Sequence, residues 1–351
     1  MSIAPIVLVP RGPFSLAASS RFLSGFRPAR YRGQDDGVLR LAFPVETPGG
    51  EWPTVGLAVH QRPDGSVLAD PTTALPADVR ERTGTQLARI LSLDVDGAGF
   101  PAVGAADPVV GALQRQFAGL RPVCFYSPYE AAIWAVLSHR IRIAQAAAIK
   151  SRLAAVLGVR RTVTGVEVAA FPGPAALLAL DEFPGLPEVK LQRLRSLAVA
   201  AADGQLDGAR LRATEPADAL AELQHLPGIG PFSAELILIR GAGTPDLFPR
   251  SERLLHAAMV DLYGLPGSEP PRLAEVARGW APYRSWASLL IRASRESGDW
   301  LAEDGRRPAD QRRTIVGRRR PGGPPVIGCL PVGRRTGAES PNPFHIGARG
   351  T

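Results

Sequence analysis

Lysine is almost missing from this sequence: of 41 basic residues only Lys150 and Lys190 are lysines, so chemistry that needs a primary amine has two candidate positions. Cysteine is as scarce. Cys124 and Cys329 lie far apart in unlike surroundings, which excludes a disulfide framework and any metal site built on paired thiolates. Both are read as reduced structural thiols. No stretch approaches the ~18 unbroken apolar residues of a membrane helix, and the opening MSIAPIVLV has neither a basic region before it nor a small-residue cleavage site after it. A soluble, cytoplasmic protein without membrane contact is expected. Also missing are a Gly-x-Gly-x-x-Gly fingerprint, a P-loop and paired histidines at metal-binding spacing, which leaves a nucleotide- or metal-dependent metabolic enzyme without support.

What is present is a 351-residue chain, 45% hydrophobic, long enough for two or three domains with buried cores. Its formal charge of +8 is unevenly spread. Residues 301–351 hold ten arginines against four acidic residues, +6, which leaves +2 for residues 1–300. Net charge therefore does not mark the body as a nucleic-acid binder, and any such contact there has to come from local geometry.

Residues 1–110 carry alternating apolar runs at 39–43, 55–61 and 66–70, punctuated by turn residues that include Asp64-Gly65, with a helical segment at 78–93. A small antiparallel α+β domain serving as scaffold is expected there. Over 111–300 the apolar spacing becomes helical, with segments at 109–118, 128–138, 143–157, 172–181, 188–203, 216–225, 231–240, 252–262, 271–278 and 284–297. The fold class expected is α+β, mostly α. The Arg-, Gly- and Pro-rich stretch 301–351 predicts a disordered basic tail, with a nonspecific phosphate-binding arm as its functional alternative.

The most informative segment is LQHLPGIGPFSAELILIRG, 223–241. One helix runs into Leu226-Pro227-Gly228-Ile229-Gly230 and a second starts at Pro231, a residue suited to the first helical position. Two glycines around one apolar residue permit a tight turn with outward-facing amides, and those amides with the positive end of the second helix can hold a phosphate without a basic side chain.

This segment, continued by Leu226, Phe232, Ser233 and Ala234, resembles the helix-hairpin-helix of the base-excision DNA glycosylase superfamily. PFSLAASSRFL (13–23), PYEAAIWAVLSHRIRIAQAAAIKSRLAAVLG (128–158), FPGLPEVKLQRLRSLAVAAADGQLD (183–207) and WAPYRSWASLLIR (280–292) are similar, in the same order, to the bacterial 3-methyladenine DNA glycosylase II family. The resemblance implies a small sheet domain followed by two helical subdomains with the active cleft between them. It implies a monomeric base-excision repair enzyme, bound to duplex DNA containing damaged bases, that hydrolyses the N-glycosidic bond of alkylated purines such as 3-methyladenine after flipping the base out of the stack.

The same resemblance assigns residues. Leu226, Gly228, Ile229, Gly230 and Ser233 form the phosphate hairpin; His139 and Arg140 fall at the DNA wedge; Phe22, Phe232, Leu236 and Arg292 fall at the base pocket, where Leu236 and Arg292 replace rings found in the best-known members. Trp134, Trp280 and Trp286 are read as core or interface rather than site. In DLFPRSERLLHAAM (246–259) the family's catalytic Asp position carries Glu252. A carboxylate there stabilises an oxocarbenium-like sugar, while the other reading of Glu252 is a first-turn residue complementing the helix dipole behind a Ser251 cap. Bifunctional relatives carry a Schiff-base lysine two residues after the second hairpin glycine; here that residue is Phe232, so lyase activity is not expected, and two cysteines cannot hold an iron–sulfur cluster. No cofactor is expected. A catalytically silent relative that binds damaged or distorted DNA stays open as the second reading.

Overall fold

The computed structural model describes residues 3–26 and 36–303, so the tail expected over 301–351 lies, from 304 onward, outside the described residues. Strands β1 (Ile6–Leu8), β2 (Leu39–Pro44), β3 (Thr54–Gln61) and β4 (Val67–Pro71) form one antiparallel sheet in the order β1-β4-β3-β2. The β3–β4 hairpin turns at the anticipated Asp64-Gly65. Asp64 Oδ1 accepts the Ser66 amide at 2.9 Å and Gly65 takes the left-handed φ of 87° that closes the turn. Helix α1 (Leu16–Gly25) lies between β1 and β2 in sequence and starts at Ser15, whose hydroxyl accepts the Ala18 amide at 3.2 Å.

Helices α2 (Ala77–Ile90), α3 (Phe100–Ala106), α4 (Pro108–Gln116), α5 (Pro128–Ser138) and α6 (Ile143–Leu157) follow. A second, two-stranded hairpin, β5 (Arg160–Val163) with β6 (Val166–Ala169), adds to the sequence reading; Arg161 on it donates to the Thr54 carbonyl at 2.9 Å and so docks it on β3. Then come α7 (Pro174–Leu178), α8 (Glu188–Ala202), α9 (Gly208–Ala213) and α10 (Pro216–Gln224). The helix expected at 231–240 is α11 (Pro231–Leu236), continued by a wider π turn over Ile237–Gly241. Helices α12 (Arg253–Tyr263), α13 (Pro270–Ala277) and α14 (Arg284–Glu303) complete the described chain. No helix among the described residues is long and apolar enough to cross a membrane.

Two apolar cores result. One joins the sheet (Leu41, Phe43, Leu57) to α2–α4 and to the last helices through Met259, Trp280, Trp286 and Leu290. The other lies within α5–α11 and holds Trp134, Leu153, Leu194, Leu223, Ile229 and Ile237. The chain thus begins one core, builds a second, and returns to finish the first.

Asp107 fastens that return. Its Oδ1 caps α4 by accepting the Val109 and Val110 amides at 2.9 and 3.1 Å, and its Oδ2 accepts Tyr263 Oη at 2.7 Å and Trp280 Nε1 at 2.8 Å. Asp107→Ala removes the cap and leaves two aromatic donors unpaired, an expected loss of about 2–4 kcal/mol in urea unfolding, with Asp107→Asn losing roughly half of that.

Candidate functional site

The turn between α10 and α11 is anchored by Ile229, buried in the second core, and closed by the Ile229 amide donating to Leu226 O at 3.0 Å. Gly228 has φ +86°, a conformation that strains any other residue, and a Cβ there would come within 2.9 Å of Arg193 Cδ and 3.4 Å of Val136 Cγ2. Gly230 differs from the sequence expectation. Its backbone is extended (φ −99°, ψ −177°) and an added Cβ would meet no atom within 4 Å, so the fold does not need a glycine there. The amides of Gly228 and Gly230 have no acceptor among the described residues. Those of Phe232 and Ser233 lie in the first turn of α11, before the intrahelical ladder starts with Ala234 donating to Gly230 O at 2.9 Å. The turn therefore presents a group of backbone donors at the positive end of a helix.

Beside it stands the loop after α5. His139 Nε2 lies 3.5 Å from Ser233 Oγ, so the expected wedge residues and the hairpin are neighbours. Lys190 on α8 donates to the carbonyls of Leu137 and His139 at 2.8 and 2.9 Å and holds that helix end in place. Arg140 is exposed and has a left-handed φ of 55°. Burial, then the positive charges of Lys190, Arg193 and Arg140, hold the His139 imidazole below its ordinary pKa.

Glu252 sits at the end of a segment pinned from three helices. Asp246 takes the Arg284 guanidinium in a two-pronged pair at 2.7 and 2.8 Å, which overcomes the effect of burial and keeps its carboxyl below the ordinary range. Leu247 exchanges hydrogen bonds with the Ser285 hydroxyl at 3.1 and 2.9 Å, and Pro249 O lies 3.1 Å from His256 Nε2. From α11, Glu235 accepts the Arg250 and Ser251 amides at 3.0 and 2.9 Å. Ser251 is not the helix cap that the sequence suggested: α12 starts at Arg253, so Glu252 itself is its cap residue, with no side-chain capping bond. The Glu252 carboxylate points instead toward Arg292, its Oε1 3.5 Å from Arg292 Nε.

The other pocket residues have separate surroundings. Phe22 is 4% exposed and stacks on Phe26 at 5.6 Å, and the Arg240 guanidinium lies 5.3 Å from the Phe22 ring centre and 4.7 Å from that of Phe26. Phe232 is 47% exposed. Leu236 is half-buried against the second core, and Trp134, Trp280 and Trp286 are all buried. Glu235 and Arg240 were not singled out from the sequence. Their signal was there: one acid and one base within the otherwise apolar run AELILIR, where a charge is retained only with a partner.

No family model matches the chain. It is 32% identical over 212 residues to a "Probable bifunctional transcriptional activator/DNA repair enzyme AlkA" of Mycobacterium tuberculosis, covering 57% of this chain and 40% of that one. To the "DNA-3-methyladenine glycosylase 2" of Escherichia coli it is 32% identical over 193 residues, 52% of this chain and 64% of the relative. The chain thus spans less than two thirds of either relative's length. A 3-methyladenine DNA glycosylase from Archaeoglobus fulgidus has a similar fold, with a TM-score of 0.66 at 18% identity over 82% of this chain and 96% of the other.

The Glu235 contacts predict a pH signature. Burial raises its pKa, against the pull of the hydrogen bonds from Ser251 and Arg250 and of the nearby His256 charge. A carboxyl that ionises later in the folded than in the unfolded chain favours folding most below its ordinary value and loses that contribution as pH rises through the folded value. Urea melts from about pH 4 to pH 7 should show wild-type stability declining relative to Glu235→Gln. A constant difference, or one that moves toward the wild type, contradicts the assignment.

Proposed function

Because the chain has the helix-hairpin-helix glycosylase fold and resembles the bacterial 3-methyladenine DNA glycosylase II family in sequence, we propose that it is a monofunctional DNA glycosylase acting in base-excision repair. Its substrate in this reading is an alkylated purine such as 3-methyladenine in duplex DNA, its setting the cytoplasmic nucleoid. The observation that carries the reading is the juxtaposition of two parts: a hairpin of unpaired amides suited to a phosphate, and, through Glu235, a rigidly held segment delivering the Glu252 carboxylate.

In this mechanism the amides around Gly228–Ser233 grip the backbone, and the residues after α5 enter the stack as the base rotates out. Alkylation at N3 or N7 makes the base a good leaving group. The enzyme then has to stabilise a developing positive charge on the sugar and admit water, and a fixed carboxylate performs the first task. Arg292 at 3.5 Å orients Glu252 until the sugar cation competes for it. Phe232 stands where a Schiff-base lysine would be needed, so the product is an abasic site with an intact strand. Two observations favour the second reading, a silent damage-binding protein: Glu252 is already paired, and the Phe22 and Phe26 rings already carry the cation of Arg240.

Single-turnover release from a methylated duplex separates the two. Glu252→Gln keeps shape but not charge, and release is expected to fall about 10²–10³-fold while affinity for an abasic duplex changes little. Undiminished release removes Glu252 from the mechanism, and Glu252→Asp reports whether the longer side chain misplaces the charge. The hairpin has its own test in Gly230→Asp, which supplies a helix cap in open space but places a negative charge where the phosphate is assigned. Thermal stability should hold or rise, and duplex binding should drop at least about tenfold, equivalent to ~1.4 kcal/mol. Wild-type binding by a folded Gly230→Asp would remove the hairpin from the interface.

A further inference from the structure

Residues 1–300 carry a net charge of only +2, yet three cations converge beside the hairpin. Lys190 and Arg193 project from one face of α8, three residues apart, and Arg140 projects from the loop after α5. All three act on the same neighbour, His139, and Arg193 together with burial lowers the pKa of Lys190. They repel one another. Among the described residues no carboxylate pairs with any of them, whereas Arg195, on the same helix, is paired with Asp181 at 3.3 Å and Arg210 with Glu222 at 2.9 Å.

Arg193 is the member that touches the hairpin. Its Cδ and Nε would lie 2.9 and 3.4 Å from a Cβ placed on Gly228, so its stem packs across the turn in space that only a glycine leaves open. The guanidinium is thereby held beside Gly228, half-buried and without a hydrogen bond to the protein's own groups among the described residues. A planar, permanently charged fork beside several backbone donors suits a tetrahedral phosphodiester, which the fork can take with two parallel hydrogen bonds.

We propose that Arg193 is the side-chain half of a phosphodiester-binding site whose backbone half is the Gly228–Ser233 hairpin. The inference rests on the DNA-binding reading above and adds to it a specific ion contact from α8. Lys190 and Arg140 supply the surrounding positive potential, Lys190 while also holding the carbonyl end of α5. On this account Gly228 is required twice, for its left-handed backbone and for the room it gives Arg193.

The test is the salt dependence of binding by the full chain to an undamaged duplex of about 20 base pairs, compared among wild type, Arg193→Ala, Arg193→Met and Arg193→Lys. Each phosphate contact contributes about 0.9 to the slope of log K against log salt. Arg193→Ala and Arg193→Met are expected to lose about that much slope and to bind roughly tenfold more weakly at low salt, and Arg193→Lys to regain most of it. An unchanged slope in Arg193→Ala overturns the inference and leaves the DNA-binding reading standing. So does full recovery by Arg193→Met, which restores the packing on Gly228 without charge. Absence of duplex binding by the wild-type chain defeats the DNA-binding reading first, and this inference with it.

Discussion

Glu235 accepts two successive backbone amides, those of Arg250 and Ser251, from within the helix that begins at the hairpin. Through this contact the element that would hold DNA and the segment that would act on it are one rigid unit. Burying a carboxylate at 7% exposure is costly, and the raised pKa of Glu235 records that cost. What it secures is position. A carboxylate displaced by 1 Å from a sugar cation loses much of its effect, so a site of this kind needs its supporting contacts as much as its acid. The widened π turn at Ile237–Gly241 follows within the same helix and lets it pack on α5, where a Cβ on Gly241 would come within 2.7 Å of Pro128 Cα.

The electrostatics follow the same economy. The described body is nearly neutral, and its candidate DNA grip is assembled from amides and a few unpaired cations rather than from a broad basic face. That arrangement favours a defined register on the backbone over general adhesion, since amides at a helix start act only at contact distance. The Arg240 guanidinium also relies on neutral partners: it lies over the Phe22 and Phe26 rings and donates to the Val123 carbonyl at 2.6 Å.

Much of this was legible in the sequence. The alternating runs at 39–43, 55–61 and 66–70 and the Asp64-Gly65 turn correspond to β2, β3 and β4, and helical spacing at 128–138 and 143–157 coincides with α5 and α6. The short elements were not. β1 has three residues and α9 has six, too few for a period to emerge, and the β5–β6 hairpin is half-exposed with arginines on it, so its alternation is weak. Nor could the joint core of the sheet with α12–α14 be read, because it depends on contacts such as Asp107 with Trp280 across 173 positions. At the site, Gly228 was predictable from turn chemistry, whereas the Glu235 contacts depend on tertiary pairing. Local propensity favours serine as a cap. The helix instead starts one residue later, with Glu252 as its cap residue.

The most direct test of the account is a crystal structure of the full chain bound to a duplex containing a stable abasic analogue. The account predicts a backbone phosphate within hydrogen-bond distance of the amides between Gly228 and Ser233 and the Glu252 carboxylate facing the anomeric carbon, with Glu235 still holding Arg250 and Ser251. A duplex seated elsewhere, or a Glu252 side chain still turned to Arg292 and away from the sugar, would contradict it.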